Sequence, residues 1–280
     1  MQKLRLSTVY ALLFLTACNA AVPAGTPVAA TALPTSTLAT SPSAAKPDPS
    51  VEEIAIFSPA SGSIVASPIS IQGEADSTFE QNLVISLTDQ DGNQLALKPT
   101  TINAPLGERG SYNALLEFSV SSQQIGRISV YSVSAMTGGL EHLNSVEVQL
   151  LPNGTASINS NVDVEESIAI LDPQPLAVVK GGSLNVSGTS DYYFESSLGL
   201  VLCGGGASGV ADAICGTADN VIASGGAIIN SPDIGQGGPF SGNLTYTITA
   251  KTMGRIVLFA TSPRDGGIIH LNSIAVEIGP

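Results

Sequence analysis

The chain has 280 residues, of which only 12% are charged, with a formal net charge of −13, 29 Gly, 17 Pro and no Trp. An acidic balance of this size repels nucleic acid and anionic lipid headgroups, so neither is an expected ligand. Glycine and proline at this density leave little room for long helices.

At the N-terminus, Lys3 and Arg5 precede an apolar run from Val9 to Leu15, and Leu15-Thr16-Ala17 leads into Cys18. A basic start, a short apolar core and small residues before a cleavage point are the layout of a secretory signal peptide. The run is too short to cross a bilayer, which takes about 20 apolar residues. With cysteine directly after Leu-Thr-Ala, residues 1–17 resemble a bacterial lipoprotein signal. That resemblance implies a lipid on Cys18, cleavage before it, and an extracytoplasmic protein anchored to the cell membrane and facing outward. Cleavage takes away two of the ten basic residues and none of the 23 acidic ones, which carries the formal net charge from −13 to −15.

Residues 19–50 are almost entirely Ala, Pro, Thr and Ser and contain no aromatic residue. Such a stretch buries too little apolar surface to offset its ordering entropy, and its prolines favour extended chain. With Cys18 it reads as a disordered tether (18–50), able to hold a domain on the order of 100 Å from the membrane at the polyproline rise.

From residue 51 the pattern becomes short strands of period two. Ile54/Ile56, Ile69/Ile71, Leu83/Ile85/Leu87, Leu116/Phe118/Val120 and Val146/Val148/Leu150 alternate with polar residues. Turn signals separate them at Ser58-Pro59, Ser61-Gly62, Asp91-Gly92-Asn93 and Gly138-Gly139. With Gln94–Leu97 and Gly126–Val133 added, about seven strands fall in roughly 100 residues, the density of an immunoglobulin-like β-sandwich. The expected fold class is therefore all-β.

The second half repeats the first. Ile54-Ala55-Ile56 returns as Ile168-Ala169-Ile170, Gly73 as Gly188, Phe79-Glu80 as Phe194-Glu195, and His142-Leu143-Asn144-Ser145 as His270-Leu271-Asn272-Ser273. Between Gly126–Val148 and Gly254–Val276, 11 of 23 positions are identical without a gap. A period this long describes two copies of one domain rather than a solenoid. The expected division is 51–152 for the first domain, 153–166 for a polar linker, and 167–280 for the second domain with a long loop at 203–239.

The segment Ile56-Phe57-Ser58-Pro59-Ala60-Ser61-Gly62-Ser63-Ile64-Val65, then Ser67-Pro68-Ile69-Ser70-Ile71-Gln72-Gly73-Glu74-Ala75 and Phe79-Glu80, resembles the immunoglobulin-like domain associated with bacterial spore germination. Tyr131-Ser132-Val133-Ser134 with Gly138 is similar to the closing strands of that family. The resemblance covers 54–150 and is looser in the second copy, where Gln174-Pro175-Leu176-Ala177 replaces the Ser-Gly turn. It implies an extracellular interaction module carried by a lipoprotein.

Candidate chemistry is sparse. With Cys18 lipidated, Cys203 and Cys215 remain as one pair in an oxidising compartment, and a disulfide closing the glycine-rich loop is the favoured reading. No third or fourth ligand stands near them, so no metal is expected there. Gly204-x-Gly206-x-x-Gly209 matches a dinucleotide fingerprint but lacks the surrounding βαβ unit. Asp89-Gln90-Asp91-Gly92-Asn93 has the opening of a calcium loop, yet position twelve is Thr100, and a hairpin turn accounts for it better. His142 and His270, the only histidines, occupy matching positions and are expected to bridge the start of each last strand by hydrogen bonds. Glu80 and Glu195 recur singly. Glu52-Glu53 and Glu165-Glu166 read as solvated linker charge. Tyr192, Tyr193 and Phe194 offer a small aromatic platform.

No catalytic residue, cofactor or metal is expected. Two function classes follow: a non-catalytic surface lipoprotein whose domains bind another envelope protein or a cell-wall glycan, or simply space the cell surface, or else an enzyme or a polysaccharide-binding accessory module of a glycan-processing system using the aromatic platform.

Overall fold

The structure is a computed structural model and describes residues 50–206 and 209–280. The expected signal peptide, the expected lipidation residue Cys18 and the expected tether up to residue 49 lie outside the described residues.

The first half contributes eight strands: β1 (Ile54–Ser58), β2 (Ile64–Ala66), β3 (Ile69–Ala75), β4 (Asn82–Thr88), β5 (Gln94–Thr101), β6 (Gly110–Leu116), β7 (Gln124–Val133) and β8 (Leu140–Leu151). The second contributes β9 (Ile168–Asp172), β10 (Val178–Val179), β11 (Ser183–Ser190), β12 (Ser197–Gly204), β13 (Ala211–Asp212), β14 (Gly216–Thr217), β15 (Val221–Ile229), β16 (Gly238–Thr245), β17 (Thr252–Thr261) and β18 (Ile268–Ile278). In the first half one sheet runs β1-β3-β6 and the other β5-β4-β7-β8, with β2 parallel to β8. The second half repeats this order as β9-β11-β16 and β15-β12-β17-β18, with β10 parallel to β18. Here β15 also pairs with β16 through Ala227, Ile228 and Ile229, which joins the two faces into one curved sheet. The architecture is an all-β sandwich in each half.

Alternation produces the cores. On β3, Ile69, Ile71 and Ala75 point inward while Ser70 and Gln72 are exposed, and on β4 Leu83, Ile85 and Leu87 are buried. They meet Ile54, Ile56, Tyr112, Ile128, Val130, Val148 and Leu150 in the first core. Ile168, Ile170, Val186, Leu200, Leu202, Phe240, Ile256 and Leu258 form the second. Each such side chain contributes about 1.5–3 kcal/mol by leaving water.

Two expectations are corrected. The residues 203–239 are not a long loop, because β15 fills nine of them. Gly225-Gly226 in its middle, with the small residues Ala223, Ser224 and Ala227 around them, hide the apolar alternation that marks a strand. The strand read around Leu116/Phe118/Val120 lies earlier: the ladder ends at Leu116, and Phe118 and Val120 pack inward from an unpaired segment. The hairpin reading of Asp89–Asn93 matches the structure. Asp89 Oδ1 accepts the backbone N–H groups of Asp91 and Asn93 at 2.9 and 2.8 Å, and Gly92 takes φ +82°.

The polar stretch 153–166 runs back along the first sandwich. Ser157 and Ile64 exchange backbone hydrogen bonds of 2.8 Å, and Asn161 N–H donates to Phe57 O at 2.8 Å. Its end reaches the start of the first domain, where Val51 bridges Glu165 antiparallel.

The two halves then meet edge to edge. β8 pairs antiparallel with β18 through His270↔Asn144 and Leu271↔Leu143. Leu143 and Leu271 are equivalent residues of the repeat, and so are Val51 and Glu165, counted from the matching Ile54 and Ile168. Both cross-domain pairings are thus centred on a residue facing its own counterpart, as across the two-fold axis of a homodimer. The side chains obey the same symmetry: Ser145 Oγ donates to Ile269 O at 2.6 Å, and Ser273 Oγ to Glu141 O at 2.5 Å.

Candidate functional site

The pseudo-two-fold axis has a buried polar cluster beside it. Glu52 and Glu166 each stand two residues before the first strand of their half, and His142 and His270 each lie near the start of the last long strand. The extended backbone there turns both carboxylates inward, since Ile54 N–H and Ile168 N–H donate to Glu52 Oε1 and Glu166 Oε1 at 3.2 and 3.0 Å. Asn144 and Asn272 fasten the same segments to the last strands, donating to Ile54 O and Ile168 O at 2.9 and 2.8 Å.

Within the cluster His142 Nε2 lies 2.5 Å from Glu52 Oε1, and His270 Nε2 lies 2.8 Å from Glu166 Oε1. The cross-distances are longer, 3.9 Å from His142 Nε2 to Glu166 Oε2 and 3.8 Å from His270 Nε2 to Glu52 Oε2. The two imidazoles meet edge to face, with centroids 5.4 Å apart. All four side chains are at most 4% exposed. Burial pulls the His142 imidazole down, but the Glu52, Glu166 and Glu53 carboxylates around it outweigh that and push its pKa up to about 10. Burial raises Glu166, yet the two imidazoles win and hold it below the usual carboxylate range. Glu53, facing His142 Nδ1 at 3.8 Å, is raised, chiefly by burial.

The hydrogen bonds expected of the histidines at the start of each last strand run to carboxylates. The reading of Glu52 and Glu166 as solvated linker charge is wrong: both are buried, because the linker and the domain start pair with each other over the last strands. Sequence reasoning missed these two ligand-type residues although a signal existed. Glu-x-Ile-Ala-Ile occurs at 52–56 and again at 166–170, at the same place in both copies.

The other expected sites fall elsewhere. Cys203 and Cys215 form a disulfide with Cα atoms 5.4 Å apart. Its loop is not a free end loop. Leu140 N–H donates to Ala213 O at 3.0 Å, and Leu140, Leu143, Val201, Cys203, Cys215, Val257 and Leu271 form a third apolar cluster between the halves. Tyr192, Tyr193 and Phe194 do not make a three-ring platform, because the chain alternates there: Tyr192 and Phe194 face solvent while Tyr193 packs against the second core. Burial pushes the Tyr193 phenol far up.

Two polar clefts open beside the cluster. One of about 290 Å³ has Arg127, Asn144, Tyr193 and His270 in its wall, and one of about 390 Å³ has Glu52, Asn144, Asn161 and Asp191. A third cleft of about 290 Å³, mostly apolar, lies between Phe79, Met136, Leu140, Ile214 and Met253.

Residues 53–139 match the family model of the immunoglobulin-like domain of bacterial spore germination. This germination-type domain spans β1 to β7, and β8 continues its sheet. No curated protein matches the sequence. Among solved structures the chain is similar to red sea bream transglutaminase at 10% identity and TM-score 0.27, covering 82% of this chain and 32% of that one. It is similar to latent PorU from Porphyromonas gingivalis at 9% identity and TM-score 0.24, covering 81% of this chain and 24% of that one. A chimeric titin Z1Z2 tandem matches at 14% identity and TM-score 0.19, covering 80% and 97%. The chain thus spans about a third and about a quarter of the first two.

Proposed function

We propose that the protein is a non-catalytic, extracytoplasmic lipoprotein, anchored through Cys18, that presents two copies of the germination-type domain as one rigid binding element for another envelope protein. The observation that carries this reading is the double cross-domain pairing, Leu143 with Leu271 and Val51 with Glu165, around the germination-type domain at 53–139. Domains joined by a flexible linker would present independent surfaces. Here pairing, the third apolar cluster and buried ion pairs fix one geometry, which suits a module that acts by contact. The recurrence of the β1-β3-β6 and β5-β4-β7-β8 order in the second half supports a second, divergent copy. The disulfide accords with an oxidising compartment. The inward turn of Tyr193 leaves only Tyr192 and Phe194 of the expected stacking surface, which favours a protein partner.

Detergent phase partitioning of cells expressing the full chain tests the anchor. The protein should enter the detergent phase and Cys18→Ala should move it to the aqueous phase; equal partitioning of both overturns the anchored reading. Site-specific photo-crosslinking from exposed strand edges in intact cells tests contact. A discrete protein adduct is expected, and binding to purified wall polysaccharide with no protein adduct would overturn the protein-partner reading.

A further inference from the structure

We propose that Glu52, His142, Glu166 and His270 form a binding site for one divalent transition-metal ion, zinc by its donor chemistry, which staples the two domains together. One ligand atom from each side chain comes to within 4.8 Å of the other three. A tetrahedral zinc with bonds of about 2.0–2.2 Å sets its ligand atoms about 3.3–3.5 Å apart. The nitrogen–oxygen separations, 2.5 and 2.8 Å to Glu52 Oε1 and Glu166 Oε1 and 3.8 and 3.9 Å to Glu52 Oε2 and Glu166 Oε2, straddle that value. An ion at the centre needs only small rotations that lengthen the two short contacts and shorten the two long ones.

Three further observations point to a ligand. Glu166 Oε2 is buried without a hydrogen-bond partner, although its side chain is 1% exposed. Both Nε2 atoms face the centre, which leaves Nδ1 as the outer nitrogen, and the Glu53 carboxylate stands 3.8 Å from that of His142, where an outer carboxylate commonly orients a ligating imidazole. The Ile54 and Ile168 N–H groups hold one oxygen of each ligand carboxylate in place before any ion arrives.

Charge agrees with the donors. A dication with two carboxylates and two neutral imidazoles gives a net charge of zero in this dry interface. Imidazole and carboxylate together suit zinc over the all-oxygen preference of calcium and magnesium. Four protein ligands leave no open position, so the site is structural. Glu52 and His142 come from the first domain, His270 from the second and Glu166 from the end of the linker that leads into it, so the site closes only when both domains are docked. The flanking polar clefts give the ion a way in.

The test uses the full chain, stripped with a chelator and then titrated with Zn²⁺ alone and with Co²⁺ alone. One ion per chain is expected, with the visible ligand-field bands of four-coordinate cobalt and a melting temperature that rises with free metal. His270→Ala should weaken binding more than about 100-fold, since losing even an outer partner costs 10–100-fold. Because His270→Ala could also loosen the fold, the near-isosteric pair Glu52→Gln/Glu166→Gln is measured beside it, with near-ultraviolet circular dichroism to verify packing. A packed Gln variant that no longer shifts its melting temperature with zinc supports the site. Absence of uptake by the wild type, zinc binding unchanged in the packed Gln variant, or binding lost only on Cys18→Ala would each overturn it.

Discussion

Single residues carry much of the repeat's logic. Gly73 and Gly188 recur because a Cβ at either position would strike backbone and ring together: Ala55 O and the Tyr112 ring in one copy, Ala169 O and the Phe240 ring in the other. The aromatic ring lies across each glycine on the neighbouring strand, Tyr112 opposite Gly73 and Phe240 opposite Gly188. Tyr112 adds a hydrogen bond from its hydroxyl to Ala55 O at 3.0 Å. Overpacking of this kind costs about 1–3 kcal/mol. Gly73→Ala is therefore expected to lower the urea midpoint of the protein, while Gly92→Ala, in a turn away from the core, strains only its local φ of +82°. A Gly73→Ala midpoint equal to wild type would refute the close approach. The recurring Phe79-Glu80 and Phe194-Glu195 have a backbone reason as well. Glu80 and Glu195 take φ +54° and +57° in matching 3-10 turns ahead of β4 and β12.

At the scale of elements, β12 shows why period-two reading fails where a strand is covered twice. Leu200 and Leu202 face the second core, while Val201 and Cys203 face the third cluster between the halves, so the strand reads as a continuous apolar run. The disulfide sits at this junction, tying β12 to the loop that Leu140 grips. Removing it as Cys203→Ala/Cys215→Ala is expected to cost about 3 kcal/mol by the loop-entropy account. Hydrogen exchange should quicken at the Leu140 amide, whose acceptor Ala213 O lies within the closed loop. Exchange at Leu140 unchanged by the double substitution would show that the disulfide does not hold this contact.

At the scale of the molecule, docking of the two halves rests partly on charge. Arg127 and Asp265 pair at 2.9 Å across the interface with side chains 6% and 0% exposed, and Arg264 reaches Glu147 at 2.6 Å. Burial alone would raise Asp265, but the Arg127 guanidinium and the Gly267 N–H hold its pKa down to about 2. A carboxylate depressed on folding stabilises the native state above its unfolded value of about 3.9, and that contribution fades as pH falls from about 4 to about 2. Stability of the wild type should drop through this window, measured as urea midpoint against pH. Asp265→Asn should be less stable near neutrality, where Arg127 is left buried and uncompensated, and should show a shallower acid limb. A limb as steep as that of the wild type would assign the loss to other carboxylates.

Residue pattern alone determined the all-β class, the strands around Ile54, Ile69, Leu83 and Val146, and the matching of His142 with His270. Each of these is local: alternation along a strand and identity between copies need no knowledge of neighbours. Linear order could not supply what the chain does when it folds back. Glu52 and Glu166 look like solvated charge because each sits in a polar stretch, and they become buried only when Val51 pairs with Glu165 and β8 with β18. Residues 114 apart in one pair and 128 in the other then converge on one axis. The long-range antiparallel register decided that convergence, since it sets each residue against its own repeat.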